Sequence, residues 1–215
     1  MAEERWKFIV FNKDISEQKS LNFYTNWAEF YDQDMVKLGF KRQFQLAQKL
    51  KSFYPDEIHR KNLKILDIAA GTGLVGVGLK QEGFEFMDAV DGNQAMLEKL
   101  KEKGIYQKAV TAILGNKNQP ISPEIPENHY DVAIIMGGFA QSHLPIDSLY
   151  QVAKTLKSGG LFINLMTRKY LDIVDKLAGL EPLMEKMETE GIWSKVEIFL
   201  DKEEKQGIYH IYRKT

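Results

Sequence analysis

The 215-residue sequence contains no cysteine, which excludes disulfides, thiolate catalysis and cysteine-ligated zinc. It has no apolar run near the ~20 residues that a membrane-spanning helix requires. It has no excess of either charge: 29 Lys and Arg stand against 30 Asp and Glu, a formal net charge of −1. That balance argues against a dedicated partner in nucleic acid or an anionic membrane. The opening Met1-Ala2-Glu3-Glu4-Arg5 is too acidic for a secretory signal. Together these absences suggest a cytoplasmic protein, with the nucleus left open, that does not engage membranes. Its oligomeric state is not readable. Histidine is also scarce: His59, His129, His143 and His210 are spaced too widely to suggest a shared metal site, and no catalytic triad is visible. What remains is an ordinary globular composition, 44% hydrophobic and 27% charged, enough for one sizeable domain or a domain with a lid.

The most informative stretch is Ile65-Leu66-Asp67-Ile68-Ala69-Ala70-Gly71-Thr72-Gly73-Leu74-Val75-Gly76. An apolar run carrying a carboxylate meets a turn of small residues and then an apolar-periodic segment. The pattern reads as buried strand, glycine turn and helix start. Gly71 and Gly73 permit positive φ and close approach of a ligand to bare backbone. The helix that follows directs its free N–H groups at the turn. Gly71 to Gly76 fits G-x-G-x-x-G, a weak signal when alone. Two acids strengthen it. Asp67 would be costly to bury without a partner, and Asp91 closes a second apolar run, Phe84 to Val90, where it is placed to accept hydrogen bonds from ribose hydroxyls.

Around this stretch the chain divides into an N-terminal arm with a helical lid (1–62) and an α/β body (63–215), within one domain. The patch Phe8-Ile9-Val10-Phe11 is open to reading as a short strand, a docking segment or an irregular arm. From Leu21 the pattern is helical and aromatic. Tyr24, Trp27 and Tyr31, at i, i+3 and i+7, share one face of a helix; such a stripe is core by default, though its polar tips also suit a ligand. A further helix ends before Pro55. Strands are expected at about Lys64 to Ile68, Phe84 to Val90, Ala109 to Leu114, Tyr130 to Met136 and Leu161 to Met166. The helices between them include one capped by Asn93 and carrying Met96, Leu97 and Leu100, and one lined by Ile146, Leu149, Val152 and Leu156. A loop with Pro120, Pro123 and Pro126 is expected to be solvent-exposed. The region Lys169 to Glu190 reads as helix broken by Gly179 and Pro182. Lys195 to Leu200 and Gly207 to Tyr212 read as an edge hairpin whose charged connection, Asp201 to Gln206, discourages edge pairing. Strands alternating with helices imply a parallel sheet with right-handed crossovers.

With these residues in place, the chain resembles the class I S-adenosylmethionine-dependent methyltransferases over nearly its whole length. Asp67 to Gly73 looks like the family's cofactor loop and Asp91 like its ribose-binding acid. Tyr130-Asp131-Val132 resembles the fourth-strand signature, and Leu156 to Gly160 the turn before strand five. Phe23 to Asp32, Gly104 to Lys108 and Gly191-Ile192-Trp193 look more narrowly like the methyltransferase-like subfamily named for the Williams–Beuren syndrome chromosomal region. The resemblance implies an α/β, Rossmann-like fold. Its mostly parallel seven-stranded sheet would end in a C-terminal antiparallel hairpin and carry an N-terminal helical lid. It implies S-adenosyl-L-methionine as cofactor and an unidentified methyl acceptor, a small molecule or a protein. The cofactor-binding set it suggests is Asp67, Ala69, Gly71, Thr72, Gly73, Asp91, Gly92, Asn93, Met96, Asn116, Met136, Tyr24, Trp27 and Tyr31. Within that set, Gly71 and Gly73 pass under the amino-acid end, Asp67 helps hold the ammonium, and Asp91 accepts from the ribose. Met96 packs on adenine, and the three aromatics shield the sulfonium.

Three positions depart from the pattern. Ala69 stands where many relatives have glycine, tolerable if its φ stays negative. Asn116 stands where many have an adenine-contacting aspartate. Met136-Gly137-Gly138-Phe139 is not the motif of the amino-methylating DNA enzymes. Methyl transfer needs chiefly in-line orientation and exclusion of water, with a general base only if the acceptor must lose a proton. No catalytic residue is assigned, and a lone His143 reads as a surface residue. The rival readings are an NAD-dependent oxidoreductase and a non-catalytic S-adenosylmethionine-binding protein or partner subunit.

Overall fold

The computed structural model describes residues 1–12, 15–201 and 206–215. Its centre is a seven-stranded sheet: β1 Lys64–Ile68, β2 Phe86–Asp91, β3 Lys108–Thr111, β4 Tyr130–Met136, β5 Leu156–Thr167, β6 Trp193–Leu200 and β7 Gly207–Lys214. In space their order is β3-β2-β1-β4-β5-β7-β6. The first five pair in parallel, and β7 runs antiparallel between β5 and β6. This is the expected architecture, with the hairpin on the edge. The residues that would join β6 to β7 include 202–205, so most of the expected charged connection lies outside the described residues.

The central strands are buried on both faces, as parallel strands must be when helices cover each side. Successive residues of β1 divide between two cores. Leu66 and Ile68 join Ile135, Phe162 and Trp193 on one face, whereas Ile65 joins Val132, Ile134, Ile163 and Leu165 on the other. The first face is covered by α8 Ser148–Thr155 and α10 Leu180–Thr189. There Trp193 stacks on Phe162 at 5.4 Å and donates its indole N–H to the Met184 carbonyl at 3.0 Å. The second face is covered by α4 Arg42–Phe53 and α6 Leu74–Gln81. These two helices approach closely because Gly78 has no side chain: a Cβ there would sit 2.3 Å from the Gln43 carbonyl oxygen.

Several local expectations are corrected. The patch Phe8 to Phe11 is neither a strand nor irregular; it completes a helix, α1 Ala2–Phe11, that docks through Ile9 and Phe8 on Trp27, Met35 and Phe23. The aromatic stripe does not lie on one helix. α2 Glu17–Trp27 ends at the tryptophan and α3 Tyr31–Lys37 begins at the tyrosine, yet the turn between them keeps the rings together. A short helix, α5 Glu57–Asn62, precedes β1, and α7 Gln94–Glu102 follows β2 with Asn93 as its cap. The proline loop is anchored rather than fully exposed, because Ile121 and Ile125 are buried in the first core. Beyond β5 the chain forms α9 Tyr170–Ile173, a 3-10 turn Asp175–Leu177, and α10. Pro182 breaks nothing. It sits in the first turn of α10, where its missing N–H is not needed.

The α4–α6 contact makes a direct prediction. Gly78→Ala must push backbone against backbone, a strain of ~1–3 kcal/mol, and should lower the thermal midpoint by several degrees. Thermal unfolding followed by circular dichroism checks this; an unchanged midpoint would mean that α4 is not seated on α6 as described.

Candidate active site

In an open α/β sheet, ligands bind outside the carboxyl ends of the strands where the strand order reverses. Here β1 pairs with β2 on one side and β4 on the other, and a cavity of about 1490 Å³ opens there. Ala69, Gly71, Thr72, Asp91, Gly92, Asn93, Met96 and Met136 line it, and so do Tyr24, Trp27 and Tyr31 of the arm. Asp67, Gly73 and Asn116 do not line it. Asn116 is an exposed loop residue whose side chain accepts from the Asn118 N–H, and the wall nearest it is made by Ala112, Ile113 and Leu114.

Asp91 holds the cavity wall together. One carboxylate oxygen accepts the Gly71 N–H at 2.8 Å and the other the Asn93 N–H at 2.8 Å. Burial pushes its carboxyl up, and the backbone donors, Gly71 foremost, pull it back. The loop it grips is tightly wound, with φ of 55° at Ala69, 55° at Gly71 and 84° at Gly73. Ala69 therefore does not keep the negative φ expected of an alanine. The chain must reverse immediately after β1, and the left-handed conformation there costs about 1–2 kcal/mol for a residue with a Cβ.

The glycine motif proves to have two functions. Space beside Gly71 is open, so its backbone is bare toward the cavity. Gly73 and Gly76 instead make room for Tyr106: a Cβ would meet the ring at 2.9 Å from Gly73 and 2.6 Å from Gly76. The Tyr106 hydroxyl accepts the Gly76 N–H at 2.8 Å and donates to Asp67 Oδ2 at 2.6 Å. Tyr106 thus answers the partner that Asp67 required. Its signal was the segment Gly104 to Lys108, which carried a resemblance but no role. Asp67 Oδ1 has no partner among the described residues. Burial raises the Asp67 carboxyl to about 7, against the pull of the Tyr106 hydrogen bond and with a push from Asp91.

The arm closes over this floor. Asn93 donates to the Leu21 carbonyl at 2.8 Å and to Thr25 Oγ1 at 3.0 Å, tying α2 to the start of α7. Asp32 accepts from Thr72 Oγ1 at 2.5 Å and pairs with Lys103 at 2.6 Å. Trp27, buried, donates its indole N–H to Asp34 at 2.8 Å, and Arg5 of α1 pairs with the same carboxylate at 2.6 Å. The ring centroids lie 5.9 Å apart for Tyr24–Trp27 and 4.9 Å for Trp27–Tyr31. Burial raises both tyrosine hydroxyls, that of Tyr31 to about 12.

His143, read from sequence as a surface residue, lines the cavity instead. Its Nδ1 lies 2.6 Å from the Gln141 carbonyl and its Nε2 2.9 Å from the Tyr24 hydroxyl. Nothing near it in sequence foretells that pairing. Among the described residues no group of His, Asp and Glu is placed to hold a metal, and no helix is long and apolar enough to cross a membrane.

Residues 65–160 match the family model described as "Methyltransferase domain". The chain is 32% identical over 175 residues to methyltransferase-like protein 27 of Homo sapiens, covering 81% of this chain and 68% of that protein. The chain belongs to the class I S-adenosylmethionine-dependent methyltransferases. Solved structures agree on the fold. A TehB-like methyltransferase from Corynebacterium glutamicum aligns with a TM-score of 0.62 at 17% identity, covering 87% of this chain and 98% of its own. A methyltransferase from Leishmania major aligns with a TM-score of 0.64 at 15% identity, covering 92% and 82%. The methyltransferase's cofactor is S-adenosyl-L-methionine, and the cavity fits it. The carboxylate of Asp91, pinned by backbone donors, lies on the cavity wall, and the bare backbone at Gly71 allows close approach.

The Asp67 carboxyl gives a stability prediction with a definite sign. Its folded value of about 7 lies above the ordinary 3.8, so the folded state holds the proton more tightly and stability falls as pH rises from about 4 to about 7. Asp67→Asn keeps an oxygen for Tyr106 and carries no charge. Without ligand it should exceed the wild type at pH 8 by on the order of 2 kcal/mol, less than the full linkage because the amide N–H also lacks a partner. The gap should close toward pH 4.5. Urea unfolding across that range measures it; a gap independent of pH would show that Asp67 is ionised throughout.

Proposed function

We propose that this methyltransferase binds S-adenosylmethionine along the ends of β1 and β2 and transfers its methyl group to an acceptor seated by β4, β5 and the arm. The observation that carries the reading is the Asp91 carboxylate, fixed by two backbone donors on the wall of a cavity at the point where strand order reverses. In this reading Asp91 accepts from the ribose hydroxyls. Gly71 and Thr72 pass under the amino-acid end, and Asp67, one layer below, draws in the ammonium. Met96 packs beside adenine along with Ala112 and Ile113. Gly73 acts through its fit against Tyr106, and Asn93 by joining the loop to the arm. Ala69, Gly92 and Met136 shape the wall, while Asn116, exposed, offers at most a contact at the adenine rim.

When bound, S-adenosylmethionine supplies an electrophilic methyl group on a good neutral leaving sulfur. The protein's contribution is to orient the acceptor in line and to exclude water. The lid is made of α1, α2 and α3, with Tyr24, Trp27 and Tyr31 over the reacting centre, while α4 stays on the sheet. The cavity exceeds the ~300–1,000 Å³ common for one small ligand, which leaves room for an acceptor that is a small molecule or a side chain of a protein. We further assign the chain to the methyltransferase-like subfamily named for the Williams–Beuren region, on the Phe23 to Asp32 and Gly104 to Lys108 segments that form the lid wall and the Tyr106 seat.

Titration calorimetry with S-adenosylmethionine, S-adenosylhomocysteine and NAD tests the reading. Both sulfur ligands should bind and NAD should not; tighter binding of NAD would overturn it. Incubation with methyl-labelled cofactor and fractionated cell extract then asks what acquires label. Asp91→Ala should weaken cofactor binding roughly ten- to a hundred-fold, the loss of hydrogen bonds to a charged group, with the fold retained. Unchanged affinity would show that neither a ribose contact nor the clamp at Asp91 contributes to binding. Hydrogen exchange should show residues 21–40 better protected once the cofactor is added, because the ligand contacts the closed arm alone. Equal protection would make the aromatic cluster ordinary core.

A further inference from the structure

The cavity has two sides. On the β1–β2 side stand Gly71, Asp91 and Met96; on the β4–β5 side stand Gly137, Thr167, Tyr170 and His143. Tyr24 spans the boundary: it lines the cavity, packs on Trp27 and reaches His143 across the opening, ring centroids 5.3 Å apart and nearly perpendicular.

The hydrogen bonds of His143 define its protons. A carbonyl only accepts, so the 2.6 Å contact with Gln141 requires the proton on Nδ1. Nε2 of the neutral ring is then the acceptor, and the Tyr24 hydroxyl donates to it at 2.9 Å. Once the Tyr24 proton is committed to Nε2, the oxygen's remaining lone-pair capacity is free to face the cavity. Burial favours this resting arrangement on both sides, holding the tyrosine protonated and the histidine neutral. The titratable groups facing the pair are Tyr31 of α3, Asp91 at the end of β2 and Tyr170 of α9.

We propose that Tyr24 and His143 form a proton relay that serves as the general base of methyl transfer, and that the acceptor is therefore a hydroxyl or a protonated nitrogen rather than a group that attacks without losing a proton. This rests on the reading of the cavity as a methyl-transfer site. As the acceptor's oxygen or nitrogen bonds to the methyl carbon, the carbon–sulfur bond breaks and its electron pair stays on sulfur. The acceptor's proton passes to Tyr24 Oη, from a hydroxyl as the new bond forms and from a protonated nitrogen beforehand to free its lone pair, while the proton already on Tyr24 passes to His143 Nε2. The positive charge lost from sulfur ends on the imidazolium, which the Gln141 carbonyl stabilises through Nδ1–H. Tyr24 is the catalytic residue, since it touches the acceptor; His143 acts through it.

A merely structural role would have the pair cement α2 to the loop after β4. Three measurements separate the two. First, the full chain, labelled with ¹⁵N at histidine and loaded with S-adenosylhomocysteine, should show His143 by NMR as the neutral Nδ1–H tautomer at pH 7. A proton on Nε2 at that pH would overturn the relay whether or not an acceptor is known. Second, in transfer to the extract fraction that the wild type labels, His143→Ala and Tyr24→Phe should each lose about 10²-fold or more, the range of general-base assistance. Calorimetry should find the affinity of His143→Ala for S-adenosylhomocysteine within threefold of wild type. Third, free imidazole should restore part of the His143→Ala rate, which a lost structural contact would not allow. Retained transfer in either variant, or no rescue in a variant that still binds S-adenosylhomocysteine, overturns the relay and leaves the methyltransferase reading intact. Failure of the wild type to bind S-adenosylhomocysteine overturns that reading instead.

Discussion

The structure of the site depends on one carboxylate. Asp91 accepts the backbone N–H of Gly71 with one oxygen and of Asn93 with the other. Gly71 belongs to the loop after β1 and Asn93 caps the helix after β2, so a single side chain fixes the relative positions of two turns. Because Asn93 also donates to Leu21 and Thr25, the arrangement extends to the arm. Neither backbone donor has a strand neighbour at that level of the sheet, and each would be unsatisfied without the acid. A residue read as a ligand contact thus has a structural duty as well, which explains how a strained alanine at position 69 can persist within a loop held so firmly.

Beneath this clamp lies a second acid of opposite character. Asp67 is buried with one hydroxyl partner, Tyr106, and one oxygen unmatched. An acceptor left unmatched at full burial lowers the stability of the fold. Gly73 and Gly76 belong to the same device. Their missing side chains admit the Tyr106 ring that carries the one hydrogen bond moderating Asp67.

Legibility followed the distance between partners. β1 and β4 were read from sequence with their true ends, because an apolar run bounded by small or charged residues is a local signal, and the Asn93 cap was visible for the same reason. The α1 helix was missed because four adjacent apolar residues carry no period, so pattern cannot tell helix from strand there. The aromatic trio was placed on a single helix when a turn divides it; the rings meet through tertiary packing around Asp34. The pairings of Tyr106 with Asp67 and of His143 with Tyr24 are not legible in the sequence. The partners lie 39 and 119 positions apart in the chain, and no local composition marks such pairings. The positive φ of Ala69 is not legible either, because nothing in an alanine announces the left-handed backbone that the reversal after β1 imposes.

The separation of 119 residues between Tyr24 and His143 also has a consequence in time. The arm leaves the ribosome well before the loop after β4, and at ordinary elongation speeds the interval is on the order of ten seconds. Throughout it Tyr24 has no His143 to reach, although Thr72, Leu74 and Asn93, which the arm also meets, are made earlier. The Tyr24–His143 contact is a long-range closure of the kind that slows folding. Until it forms, the polar residues scattered among the aromatics, Asn22, Thr25, Asn26 and Glu29, keep the unfinished face in contact with water, and two of them, Thr25 and Glu29, bind Asn93 and Lys99 in the finished protein.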